Sequence, residues 1–135
     1  MMRTFYLFGL LFLTSNCQYN DLPKAVKLTG IWTLEQVYAN DHWGGELSWK
    51  TTDFFKQVKF STDLKYYSKT NADFQLGTYR RISDTQLEIT WDKPSTPQYP
   101  TYSQSFEIDS TGRLILSTGT FEGIVLEKYK LTEKL

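Results

Sequence analysis

The sequence predicts an all-β protein, a single antiparallel up-and-down β-barrel of about eight strands. Three observations carry this. From Leu28 onward apolar and polar residues alternate with a period of two, and no window carries a helical stripe. Short polar turn clusters recur at spacings of roughly eight to twelve residues, too close for crossover helices. Aromatic residues make up 16% of the chain, with nine Tyr, nine Phe and four Trp. Such side chains pack well on a pleated surface.

The N-terminus reads differently. Arg3 precedes an apolar run, Phe5 to Leu13, that is too short to span a membrane as a helix, which needs about 20 residues. The run suits the apolar core of a secretory signal peptide. It ends in "LTSNC", and Cys17 is the only cysteine, so no internal disulfide can form. This arrangement resembles the lipobox of bacterial lipoproteins, although Asn16 stands where that family usually has Ala, Gly or Ser. The resemblance implies cleavage before Cys17 and its lipidation by acyl chains such as palmitate, each buried CH₂ contributing about 0.8 kcal/mol to anchoring. The alternative is a plain secretory signal cut nearby, leaving a free or buried thiol. The expected division is a signal peptide over 1–16, a lipid-anchored tether over 17–27 and a barrel domain over 28–135.

The strands come in order along the chain. Residues 28–39 form the first run, which contains "LTGIWTL". "FKQVKF" comes next, where Val58 and Phe60 alternate with lysines. Segments 64–70, 74–82, 86–91, 102–108, 113–118 and 122–131 complete the set. Ser61-Thr62-Asp63, Asn71-Ala72-Asp73, Ser83-Asp84-Thr85 and Asp109-Ser110-Thr111-Gly112 separate them with side chains that bond their own backbone in tight turns. Two connections, 40–53 and 92–101, are longer and read as loops. Alternation places Trp32, Leu34, Tyr38, Val58, Phe60 and Leu87 inside the barrel. Ile89, Trp91, Phe106, Ile108, Leu114 and Leu116 share that side, and Glu35, Glu88 and Glu107 face solvent.

Gly30-x-Trp32 has a physical reading of its own. Gly30 allows close backbone approach where a barrel closes, and Trp32 plugs that end of the core. A G-x-W on the first strand of an eight-stranded meander, with the closing "LEKYKL", resembles the lipocalin-like superfamily, and small bacterial lipocalin-like lipoproteins in particular. The resemblance covers most of residues 28–131. It implies that a basic residue of the last strand, Lys128 or Lys130, packs across Trp32. Gly30, Trp32 and Lys128 are thus expected to be structural.

Signatures of catalysis are few. The 15 basic and 15 acidic residues balance, which disfavours a nucleic-acid binder. With one histidine, His42, and one cysteine, the chain offers no Cys–His dyad, no second histidine for a triad and no Cys/His zinc cluster. No enzyme, cofactor or metal is expected. An eight-stranded barrel has just enough interior to be packed solid or to hold one small ligand. Aromatics gather near the two long loops, and aromatic walls with a few polar tips suit a small-molecule pocket. The expected ligand residues are Tyr38, Trp43, Trp49, Phe60, Arg80, Trp91 and Tyr102. Arg80 and Arg81 face opposite ways, so one of them is a candidate for an inward cation, the alternative being surface ion pairs. The expected protein is a monomeric, lipid-anchored outer-membrane barrel that binds a small apolar or amphipathic ligand. The competing expectation is a filled barrel that docks another protein through the aromatic 40–53 loop.

Overall fold

The computed structural model describes residues 27–39, 46–120 and 123–135. Among these every regular element is a strand: β1 Gly30–Ala39, β2 Ser48–Thr51, β3 Lys56–Phe60, β4 Lys65–Thr70, β5 Phe74–Arg81, β6 Gln86–Trp91, β7 Thr101–Ile108, β8 Leu114–Thr120 and β9 Gly123–Glu133. Each pairs antiparallel with the next from β3 to β9, and β1 pairs with both β3 and β9, which closes the barrel. Closure leaves β1 and β3 to β9 without the free edges that an open sheet would expose, while β2 pairs with β1 alone.

One strand lies where the sequence suggested only loop. β2 falls inside the expected 40–53 connection and pairs with the second half of β1, Tyr38 opposite Trp49 and Gln36 opposite Thr51. β3 pairs with the first half of the same edge, Trp32 opposite Val58. β2 and β3 are therefore one partner strand of β1, interrupted at residues 52–55. Its apolar alternation is short and broken, so the sequence alone did not reveal the first piece.

The barrel has two unlike ends. At the base, Trp32 is buried and its indole N–H donates to the Leu28 carbonyl at 2.8 Å. Gly30 sits beside it with φ +148°, and a Cβ there would lie 2.5 Å from Leu131 Cδ1 and 2.7 Å from the Glu133 carbonyl oxygen. Only glycine lets β1 approach β9 this closely. Phe60, Leu87, Ile89, Leu114 and Tyr129 are fully buried around it, and Phe60 meets Tyr79 edge to face at 5.0 Å. At the other end, the mouth, lie the 70–74 and 91–101 connections and the strand ends Ala39 and Thr120. Residues 40–45 and 121–122 lie outside the described residues.

A β-bulge divides β1. Leu34 faces Tyr129 and Gln36 faces Lys128, so Glu35 is an extra residue relative to β9. A one-residue insertion exchanges the inner and outer sides for the rest of the strand. Val37 accordingly packs against the core, and Tyr38 turns to the outer wall, where its ring meets Trp49 at 5.4 Å. The interior position expected for Tyr38 is corrected by this bulge.

Candidate functional site

The lower half of the interior is apolar, and the upper half is not. Glu127 of β9 stands opposite Val37 and Leu116, on the inner side. Lys56, at the start of β3, shares the inward parity of Val58 and Phe60. Its ammonium donates to both Glu127 oxygens at 2.8 Å, and the Tyr129 hydroxyl donates to Oε2 at 2.7 Å. The Lys56 and Glu127 side chains are 24% and 15% exposed, which places the pair just inside the mouth.

Aromatic rings surround this pair. Gly77 is opposite both Tyr66 and Trp91, and those two rings close over it with centroids 5.3 Å apart. A strand glycine has no side chain to pack, so its neighbours cover the gap. Trp91 in turn stacks on Tyr102 at 6.0 Å and 26°. Burial, with the Glu127 charge close by, pushes the Tyr66 and Tyr129 phenols well above the ordinary tyrosine range. Tyr102 is raised to about 12, chiefly by burial. These phenols therefore remain neutral donors at physiological pH.

Gln104 lies on the same inner side of β7, between Tyr102 and Phe106 in the strand, and is 4% exposed. Its Nε2 donates to Thr118 Oγ1 at 2.6 Å, while its Oε1 is buried without a partner. A buried acceptor left unpaired costs about 1–3 kcal/mol. Ordered water or a ligand donor can remove that cost.

Of the residues expected to bind ligand, the structure brings Trp91 and Tyr102 together at this end. Phe60 is base core, against Tyr66 at 5.1 Å and Tyr79. Arg80 is an outer-wall residue, 70% exposed and ion-paired with Glu88 at 2.8 Å, so it is no inward cation. Arg81 has the inward parity but lies at the base, its guanidinium 5.1 Å from the Phe106 ring centroid and 3.2 Å from Asp84. Trp49, like Tyr38, sits on the outer wall. The expected Lys128–Trp32 contact is also corrected: the bulge sets Lys128 opposite Gln36, and its ammonium lies 4.2 Å over Trp49. Cys17, His42 and Trp43 lie outside the described residues.

Sequence reasoning missed Lys56, Tyr66, Gln104, Glu127 and Tyr129. A signal existed for several of them, because Lys56 shares parity with Val58 and Phe60, and Glu127 and Tyr129 with Leu131. Charge at Lys56 and Glu127 hid their inward orientation. Among the described residues no group of three or more His, Cys, Asp or Glu side chains is placed to hold a metal ion. Compared with known proteins, the sequence matches no protein-family model and no curated protein.

Proposed function

We propose that this protein is a non-enzymatic, lipid-anchored envelope protein of the lipocalin-like type that takes a small amphipathic ligand into the mouth of its barrel. The observation that carries the reading is the unpaired Gln104 Oε1, buried beneath a mouth lined by Trp91, Tyr102 and the Lys56–Glu127 pair. A core serving stability alone is better filled with apolar side chains, as the lower half is. A carboxylate, an ammonium and an orphaned amide oxygen inside a barrel cost stability, and proteins commonly accept that cost at functional sites. The Lys56 and Glu127 charges cancel, so the ligand needs no net charge. It needs a hydrogen-bond donor, a hydroxyl or amide N–H, to reach Gln104 Oε1, and an apolar body to lie along Trp91 and Tyr102. This narrows the expected ligand from apolar to amphipathic. The membrane anchor at Cys17 and an outer-membrane location belong to the same proposal and rest on the sequence before Leu28.

Native mass spectrometry of the full chain, extracted in detergent from its host, tests this. A co-purifying small molecule is expected, and Gln104→Leu should lose it while keeping the same melting temperature or a higher one. If the wild type carries none and Trp91 fluorescence stays unmoved across an amphipath library, Gln104 Oε1 holds water only. For the anchor, Cys17→Ser should release the protein into the soluble fraction.

A further inference from the structure

The outer wall carries a second arrangement, independent of the interior. The strand registers align two neighbouring rows of outward side chains across β2, β1, β9, β8 and β7. One row is Trp49, Tyr38, Leu126, Ser117 and Ser105, and the next is Thr51, Gln36, Lys128, Ile115 and Glu107. Two grooves run along these rows. One, of about 350 Å³, passes between Trp49, Leu126, Ile115 and the two serines. The other, of about 580 Å³, lies beside Gln36, Thr51 and Lys128, walled by Glu35, Thr111 and Arg113. They lie side by side on neighbouring rows, with the Lys128 ammonium 4.2 Å over the Trp49 ring between them, and are treated together as one trough. Five strands at about 4.8 Å spacing make it roughly 19 Å long.

Two irregularities make this trough. The Glu35 bulge turns Tyr38 outward and brings Glu35 against Arg113 at 3.0 Å. The interruption at 52–55 leaves Thr51 and Thr52 on its edge. Bulges commonly re-aim side chains beside binding sites.

We propose that this trough binds a linear, uncharged oligosaccharide lying across the strands. Its cations are already matched, Arg113 by Glu35 and Lys128 by Asp109 at 3.8 Å, so an anionic ligand finds no unbalanced partner. What remains is a row of hydroxyls and planar two-atom edges. The Gln36 amide and the Glu35–Arg113 pair offer adjacent donors and acceptors, which suit the vicinal hydroxyls of a sugar. Trp49, Leu126 and Ile115 offer apolar surface for the C–H face of a pyranose ring. A peptide strand fits less well. Peptides add to sheets by pairing with free backbone groups at an edge; β1, β9 and β8 have strands on both sides, and a peptide on the open edge of β2 would run along the strands rather than across them.

The test is titration of the full chain in detergent micelles with chitotetraose, cellotetraose and maltotetraose. Trp49 fluorescence and calorimetry are the readouts. At least one sugar should bind and shift the Trp49 emission, and Trp49→Ala should weaken that binding tenfold or more. Ser117→Lys, which blocks the trough without touching the core, should do the same with far-UV circular dichroism unchanged. Gln104→Leu should leave sugar binding intact, which separates this site from the interior one. Absence of binding by all three sugars, or binding that survives both trough variants, overturns the proposal.

Discussion

The Lys56 ammonium and the Glu127 carboxylate, 71 residues apart in sequence, meet at 2.8 Å inside the barrel, and the Tyr129 hydroxyl shares the same carboxylate. β3 and β9 reach each other only because β1 lies between them and pairs with both. The contact is thus a consequence of closure.

Removing one member of this pair leaves the other's charge in a largely buried setting. Lys56→Met alone and Glu127→Leu alone should each destabilise the fold by about 2–4 kcal/mol, the partial exposure keeping the loss below that of a fully buried pair. The double variant should lose clearly less than the sum of the two. Urea unfolding of the three variants measures this. Additive losses would mean that the two groups are not coupled.

The buried phenols set an alkaline limit. Tyr66, Tyr102 and Tyr129 have folded-state pKa values raised above the unfolded tyrosine value of about 10, Tyr102 to about 12. Raised values favour the protonated form in the folded state. Their contribution to stability is therefore full below about pH 10 and is lost as pH rises through the folded values. Phenolate absorbance should show a late step in which these three phenols ionise together with unfolding of the barrel. Tyr102→Phe should reduce the amplitude of that step.

The base should be the least tolerant part of the molecule. Gly30→Ala drives a methyl into Leu131 Cδ1 and the Glu133 carbonyl, at a backbone φ that side chains avoid. Trp32→Ala empties the plug and orphans the Leu28 carbonyl that its indole bonds. Trp32→Ala should cost about 3–5 kcal/mol and Gly30→Ala about 1–3 kcal/mol or more, both read by thermal or urea unfolding. Arg80→Ala, which loses only an exposed ion pair, should cost about 0–1 kcal/mol.

Much of this was legible from residues alone. Period-two alternation and polar turns located eight of the nine strands, because strand formation depends on neighbours along the chain. Gly30-x-Trp32 likewise marked the base, through its position on the first strand of the meander rather than through the motif alone. Every residue assigned to the interior by alternation, Tyr38 excepted, lies in the core or packs directly against it. Trp91 does so from the mouth, through its ring contacts with Tyr66 and Tyr102.

What tertiary structure decided lies beyond alternation. One extra residue at Glu35 reversed the sides of β1, sending Tyr38 out and carrying Lys128 from the expected Trp32 to Trp49. A bulge is invisible in a single strand, because it is defined only against the partner strand. The polar interior was hidden for a related reason. Lys56 and Glu127 each look like solvent-facing charges when read alone, and only barrel closure supplies the partner that lets both turn inward. The sequence by itself determined eight of the nine strands, their order and the plugged end. The pairing across the closed barrel determined which charges face in and which aromatics face out, because a side chain's inner or outer position is set by its partner strands.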